Sequence, residues 1–142
     1  MSDEIEEFCN SCIIEIRRQL PDRAYRSANE LRNASLLVLR GQRNGRRYRV
    51  PATRKYYTAS APGEPPAVRT GVFRMSWQPK ALRRGGDTYR SLIESRTKAN
   101  GYVLGALLED GTSHMAARPH HDAIKQKALP KIKRIYKEDY FN

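Results

Sequence analysis

The chain has 142 residues, 39% of them hydrophobic and 30% charged, with a mean hydropathy of −0.77; this suits one domain with a modest core, completed by burial against partner subunits. Twenty-seven Lys and Arg against 15 Asp and Glu give a net charge of +12 and a pI near 10.1, which favours an acidic partner, whether nucleic acid, an acidic protein ring or a membrane surface. A wholly disordered chain is excluded, no run approaches the ~20 apolar residues of a spanning helix, and the acidic opening Met1-Ser2-Asp3-Glu4 leads us to expect no secretory leader.

Ile5, Phe8, Cys9, Cys12, Ile13, Ile16 and Leu20 recur at spacings of three and four, which predicts a helix from about Asp3 to Leu20. Asp3 is its expected cap, with Glu6 three residues on. Within that stripe Cys9 and Cys12 read as small core residues of a reducing compartment. A zinc site needs two more ligands, and His114, His120 and His121 lie far downstream without finger-like spacing. Pro21 is expected to break or kink the helix. A second helix is then predicted from Asp22 to about Arg40, with Gly41 as its stop.

Residues 41–70 lack periodicity. Asn44-Gly45 is a hairpin-turn dipeptide, 46–50 alternates as a short strand does, and Tyr56-Tyr57-Thr58 is its expected partner. With the proline-rich run that follows, this stretch reads as an interaction arm. Thr70 is the expected cap of a short helix through Phe73 and Trp77, closed by Pro79. Strands are predicted from Lys80 to Arg84 and from Thr88 to Thr97, joined by Gly85-Gly86-Asp87, with a further turn at 98–101. In the second strand Tyr89, Ser91, Ile93 and Ser95 share one face. The last helix runs from about His121 to Tyr140, with Ile124, Ala128, Ile132, Ile135 and Tyr136 inward and Pro130 bending it.

Converging catalytic groups are scarce. Glu109-Asp110 are neighbours in sequence and do not face each other as an acid/base pair must. Ser113-His114 lacks a glycine-flanked elbow. His120-His121, with Asp122 alongside, occupy consecutive positions that are expected to diverge rather than share a metal. Gly85-Gly86 lacks a phosphate-loop frame. No enzyme, no metal and no cofactor are expected. The charge says more: between Arg17 and Lys55 twelve cations stand against Asp22 and Glu30, so this segment carries +10 of the +12. Arg43, Arg46, Arg47, Arg49, Arg54 and Lys55, interleaved with Tyr48, Tyr56 and Tyr57, are the candidate interface or DNA-facing residues. No zinc-finger, homeodomain, RNA-recognition or basic-zipper signature accompanies them.

Two stretches carry a family resemblance. Residues 59–74 read Ala-Ser-Ala-Pro-Gly-Glu-Pro-Pro-Ala-Val-Arg-Thr-Gly-Val-Phe-Arg, and 108–119 read Leu-Glu-Asp-Gly-Thr-Ser-His-Met-Ala-Ala-Arg-Pro. In order and content they resemble the two conserved boxes of the tail-completion (neck, head–tail joining) proteins of long-tailed bacteriophages. Pro62, Gly63, Pro65, Pro66, Thr70, Gly71 and Arg74 match the first box; Leu108, Glu109, Gly111, Thr112, Arg118 and Pro119 match the second. Asp110 and His120 stand where many members carry an aromatic, and Arg69 where an acid is common.

The resemblance implies a single α+β domain, a small, mostly antiparallel sheet flanked by N-terminal and C-terminal helices; combined with the elements read above, the helices lie over 1–40, the arm over 41–70, and the sheet with the C-terminal helix over 71–142. It implies a structural virion protein, commonly a sixfold homo-oligomeric ring, seated between head-closure and tail-terminator proteins and assembled in the host cytoplasm. Passing contact with genomic DNA is part of that expectation; a membrane is not. The alternative is a non-specific nucleic-acid-binding protein using the basic segment 17–55, and a small redox or metal enzyme built on Cys9 and Cys12 is the least favoured reading. Within the second box Glu109 and Arg118 are the opposite charges expected to pair across the turn.

Overall fold

A computed structural model describes residues 2–141 of the chain. The fold is small and α+β: a long N-terminal helix, antiparallel strand pairs and a C-terminal helix. One continuous helix, α1 (Ser2–Val38), replaces the two expected, and Asp3 lies in its first turn rather than at a cap. Pro21 sits inside it. A proline there removes the N–H that would bond the Arg17 carbonyl, at a cost of about 3 kcal/mol. Arg17 is exposed, so water can satisfy that carbonyl. The turns beyond Pro21 are held by packing, since Arg23, Ala24, Ser27, Ala28, Ala34 and Ser35 are all buried.

Those buried positions are mostly small, which lets α1 lie close to its neighbours. Their hydroxyls turn back onto the helix, with Ser27 Oγ donating to the Arg23 carbonyl (2.8 Å) and Ser35 Oγ to that of Arg32 (2.7 Å). Across from them lie the hairpin β3 (Gln78–Arg83) and β4 (Tyr89–Glu94) and the C-terminal helix α4 (His121–Lys137). The face of β4 holding Ser91 and Ile93 turns to α1, as its alternation predicts. Ser91 Oγ donates to the Ala24 carbonyl at 2.6 Å, and Ile93 packs on a core of Ala34, Ile124 and Ala128 with Leu31, Val38 and Ile132. On α4, Ile124, Ala128 and Ile135 are buried as expected, whereas Tyr136 is exposed.

The other strands pair locally. β1 (Arg47–Arg49) joins β2 (Tyr56–Thr58), and β5 (Lys98–Ala99) joins β6 (Tyr102–Val103) through Asn100 and Gly101, both at positive φ as a tight two-residue turn requires. Among the described residues the sheet content is therefore three two-stranded pairs. Asn44-Gly45 is not the turn of the first hairpin. The chain reverses between Val50 and Lys55 instead, while Gly45 donates to the Ala59 carbonyl and extends the pairing. α2 (Val72–Met75) starts after Gly71, not Thr70, and ends before Trp77, leaving Pro79 inside β3. The apolar run after β6 folds as α3 (Leu104–Asp110).

Both ends of α4 are held by charge. At its C-terminus the Arg23 guanidinium, only 3% exposed, donates to the carbonyls of Ile135 (2.6 Å), Glu138 (2.9 Å) and Asp139 (3.0 Å) and to Gln19 Oε1 (2.8 Å). It also stacks 3.7 Å over the Tyr140 ring. The helix ends at Lys137 and the chain folds back over this arginine, which is why the expected extension to Tyr140 does not form. Replacing Arg23 with Ala should destabilise the fold by about 2–4 kcal/mol, since it strands buried carbonyls and opens a void. Arg26→Ala, removing an exposed pair with Glu138, should change stability far less. Urea denaturation of both variants checks the contrast.

Candidate functional site

The two motif stretches meet in space. The Gly63 amide donates to the Ala117 carbonyl at 3.2 Å, and Phe73 from the first stretch stacks edge-on against His120, just past the second, at 5.7 Å between ring centres. Between them opens a mainly apolar cleft of about 460 Å³, lined from the first stretch by Pro66, Val68 and Thr70 and from the second by Leu108, Met115 and Arg118. Leu39 and Tyr57 complete one wall.

Each stretch is fixed by a network of hydrogen bonds. Glu64 accepts from the Asn44 amide (3.0 Å), Asn44 Nδ2 (2.6 Å) and the Ala61 amide (3.0 Å), which holds its carboxyl below the usual range. Arg43 donates to the carbonyls of Val38 (2.7 Å), Pro65 (2.6 Å) and Pro66 (3.1 Å). It thereby closes the end of α1 and pins the proline pair. Arg74 donates to the Leu36 carbonyl at 2.8 Å. Arg43 is thus turned inward, unlike the free interface cation expected. Arg46, Arg47, Arg49, Arg54 and Lys55 do lie on the exposed hairpin, with Arg47 over the Tyr56 ring.

In the second stretch Gly111 has φ 78°. A Cβ there would sit 2.8 Å from the Ala117 nitrogen and 2.9 Å from the Met115 carbonyl oxygen. Thr112 and Met115 bridge each other, and the Arg118 amide donates to the Leu108 carbonyl. The expected Glu109–Arg118 pair does not form. Arg118 reaches the Ala116 and Ala117 carbonyls. Glu109 Oε2 instead accepts from the amides of His120 (2.7 Å) and His121 (3.2 Å), capping α4 with a carboxylate where the helix dipole is positive. A carboxylate twelve residues upstream of a helix start has no short-range spacing signature, so only the folded loop reveals it.

His120 is 1% exposed and packs against Phe73, Trp77 and His121. Its Nδ1 faces two acceptors, the Arg118 carbonyl (3.0 Å) and Glu109 Oε2 (3.1 Å), so the proton resides there. Contrary to the expected divergence, the two consecutive histidines converge with Glu109, and one ligand atom from each falls within 4.8 Å of the others. A metal bound there would compete with two backbone amides for Glu109. The cysteines are also corrected. Cys9 is exposed and Cys12 half-buried, because their half of the apolar stripe projects beyond the core. Set against known proteins, the chain matches no family model, and neither a curated protein nor a solved structure is significantly similar to it.

Gly111→Val should cost on the order of 2–4 kcal/mol, since the left-handed backbone and the close carbonyl both oppose a branched side chain. His114 is exposed, and His114→Ala should leave the melting temperature unchanged.

The cluster also sets an acid response. Burial lowers the His120 pKa from its ordinary 6.5. Burial alone would raise that of Glu109, but the two amides and adjacent imidazoles outweigh it and lower it from 4.5. Both shifts mean that the unfolded chain binds more protons in acid than the fold does. Stability should therefore fall as pH drops below 6.5, and fall further below 4.5. His120→Phe should flatten the first part of that profile, measured by urea denaturation from pH 4 to 8.

Proposed function

We propose that this chain is a ring-forming subunit of a bacteriophage neck, completing the tail and joining it to the DNA-filled head. One observation carries the reading: the stretches that resemble the two tail-completion boxes, about forty residues apart, fold against each other around a single cleft, joined by Gly63 and Ala117 and by Phe73 and His120. The function is assembly rather than turnover. Head-closure and tail-terminator proteins are the neighbours, and the virion's head–tail junction is the location.

The surface suits such a role. Ile5 and Phe8 on the tip of α1, and Val72 and Met75 on α2, are each more than half exposed and share a face pairwise, apolar surface of the kind that marks contact with another protein. Among the described residues no helix is long and apolar enough to cross a membrane.

A second reading, non-specific nucleic-acid binding, is favoured by one feature. The hairpin presents Arg46, Arg47, Arg49, Arg54 and Lys55 beside exposed Tyr48 and Tyr56, with no acid between Arg40 and Thr58.

Reversing Arg46, Arg47 and Arg49 to Glu should leave the fold intact, because surface changes usually shift stability by under about 0.5 kcal/mol each. In a phage lacking this protein, the wild-type chain should restore joined particles under the electron microscope, and the triple variant should leave heads and tails unjoined. If the wild-type chain restores nothing, yet binds duplex DNA with a steep salt dependence that the triple variant loses, the second reading replaces the first.

A further inference from the structure

Two unpartnered surfaces lie at opposite ends of α1. At the N-terminal end every residue from Ser2 to Ser11 is exposed. Ile5, Phe8 and Cys9 lie on one face, with Ile5 63% and Phe8 69% exposed. Glu4 and Glu6 flank that face, Asp3 and Glu7 add to the negative charge of the same turns, and the first cation is Arg17. At the C-terminal end, beside Leu39, lies the apolar cleft, whose lining includes Arg69, Arg74 and Arg118 and no acid. Exposed Val68 and Val72 form its rim, and the basic hairpin stands beside it through Tyr57.

The surfaces are complementary twice over, apolar against apolar and acidic against basic. They cannot meet within one subunit. From Ile5 to Val38 the helix is unbroken, and at 1.5 Å per residue this separates them by about 50 Å.

We infer that the α1 tip of one subunit, led by Ile5 and Phe8, seats in the motif-lined cleft of a second copy. Different patches meet, so the contact is heterologous: it runs head to tail and closes into a ring when the rotation permits. This deepens the neck reading above and rests on it for closure into a ring, whereas the contact itself rests on the two surfaces.

The test uses two full-length variants with substitutions only at exposed positions. The tip variant carries Ile5→Ser and Phe8→Ser; the cleft variant carries Val68→Asp and Val72→Asp. Far-ultraviolet circular dichroism should show both folded. In sedimentation, wild-type protein should associate at about 100 µM, and each variant alone should associate at least tenfold more weakly. Mixed, they should form a one-to-one dimer and nothing larger, because the mixture holds one working tip and one working cleft. Alkylation of Cys9 should be slowed in wild-type assemblies and fast in the cleft variant.

The contact is overturned if wild-type protein stays monomeric, if the tip variant assembles like wild type, or if the mixture yields no dimer. Restoration of joined particles by a wild-type chain that fails these tests would leave the neck function standing without this seam.

Discussion

Helix α4 depends on charge at both ends. It buries only Ile124, Ala128 and Ile135, too little apolar surface to fix a seventeen-residue helix whose outer face is lined by lysines. The Glu109 carboxylate meets its first amides, and the Arg23 guanidinium meets carbonyls at its last turn. Each charge has the sign that the helix dipole favours at that end. Glu109 belongs to the second motif stretch and Arg23 to the packed half of α1, so these two bonds also set the cleft wall relative to the long helix. Packing then adds the small-residue face of α1, where Ala24 and Ala28 are fully buried.

The basic segment separates into two populations. Arg23, Arg32 and Arg43 are spent on backbone carbonyls, and Arg17, Arg18 and Arg26 are paired with Asp87, Glu15 and Glu138. What remains outward lies at the C-terminal end of α1 and on the hairpin: Arg40, Arg46, Arg47, Arg49, Arg54 and Lys55. The acids of the first two turns sit at the other end. The net charge thus conceals a molecule that is acidic at one tip and basic at the other. A head-to-tail interface uses that polarity; an electrostatic groove along nucleic acid needs only the basic end.

Features encoded by short-range pattern were legible in the sequence. The β3–β4 hairpin, the inward Ile124, Ala128 and Ile135 of α4 and the turn at Asn100-Gly101 follow from alternation, helical period and left-handed turn residues, whereas Tyr136, inward by the same period, is exposed. Features decided by distant contacts were not. Pro21 is tolerated because buried residues beyond it hold the helix, which no local window reports. The stripe from Ile5 to Leu20 has the right period for a core helix, yet among the described residues its first turns are left uncovered, so Cys9 is exposed. Arg23 looks like any other cation in its segment, and only the return of the C-terminus over it makes it structural. The arm was only partly an arm: Pro66 is buried, and Arg43 and Glu64 tie the surrounding loop to the body.

The exposed tip is helical for a reason that bears on assembly. A free peptide of this length is marginal as a helix, because nucleation is costly and below about 12–15 residues propagation does not repay it. Here the packed half beyond Pro21 supplies the nucleus, the acids of the first turn suit the dipole, and Glu15 joins Arg18 and Gln19 at the base. The tip therefore presents Ile5, Phe8 and Cys9 in fixed register before any partner arrives. Docking a preformed face avoids the ordering entropy that a disordered segment loses on binding. A surface as small as two or three apolar side chains can then hold a neighbour, above all where a closed ring makes every subunit both donor and acceptor of the same contact.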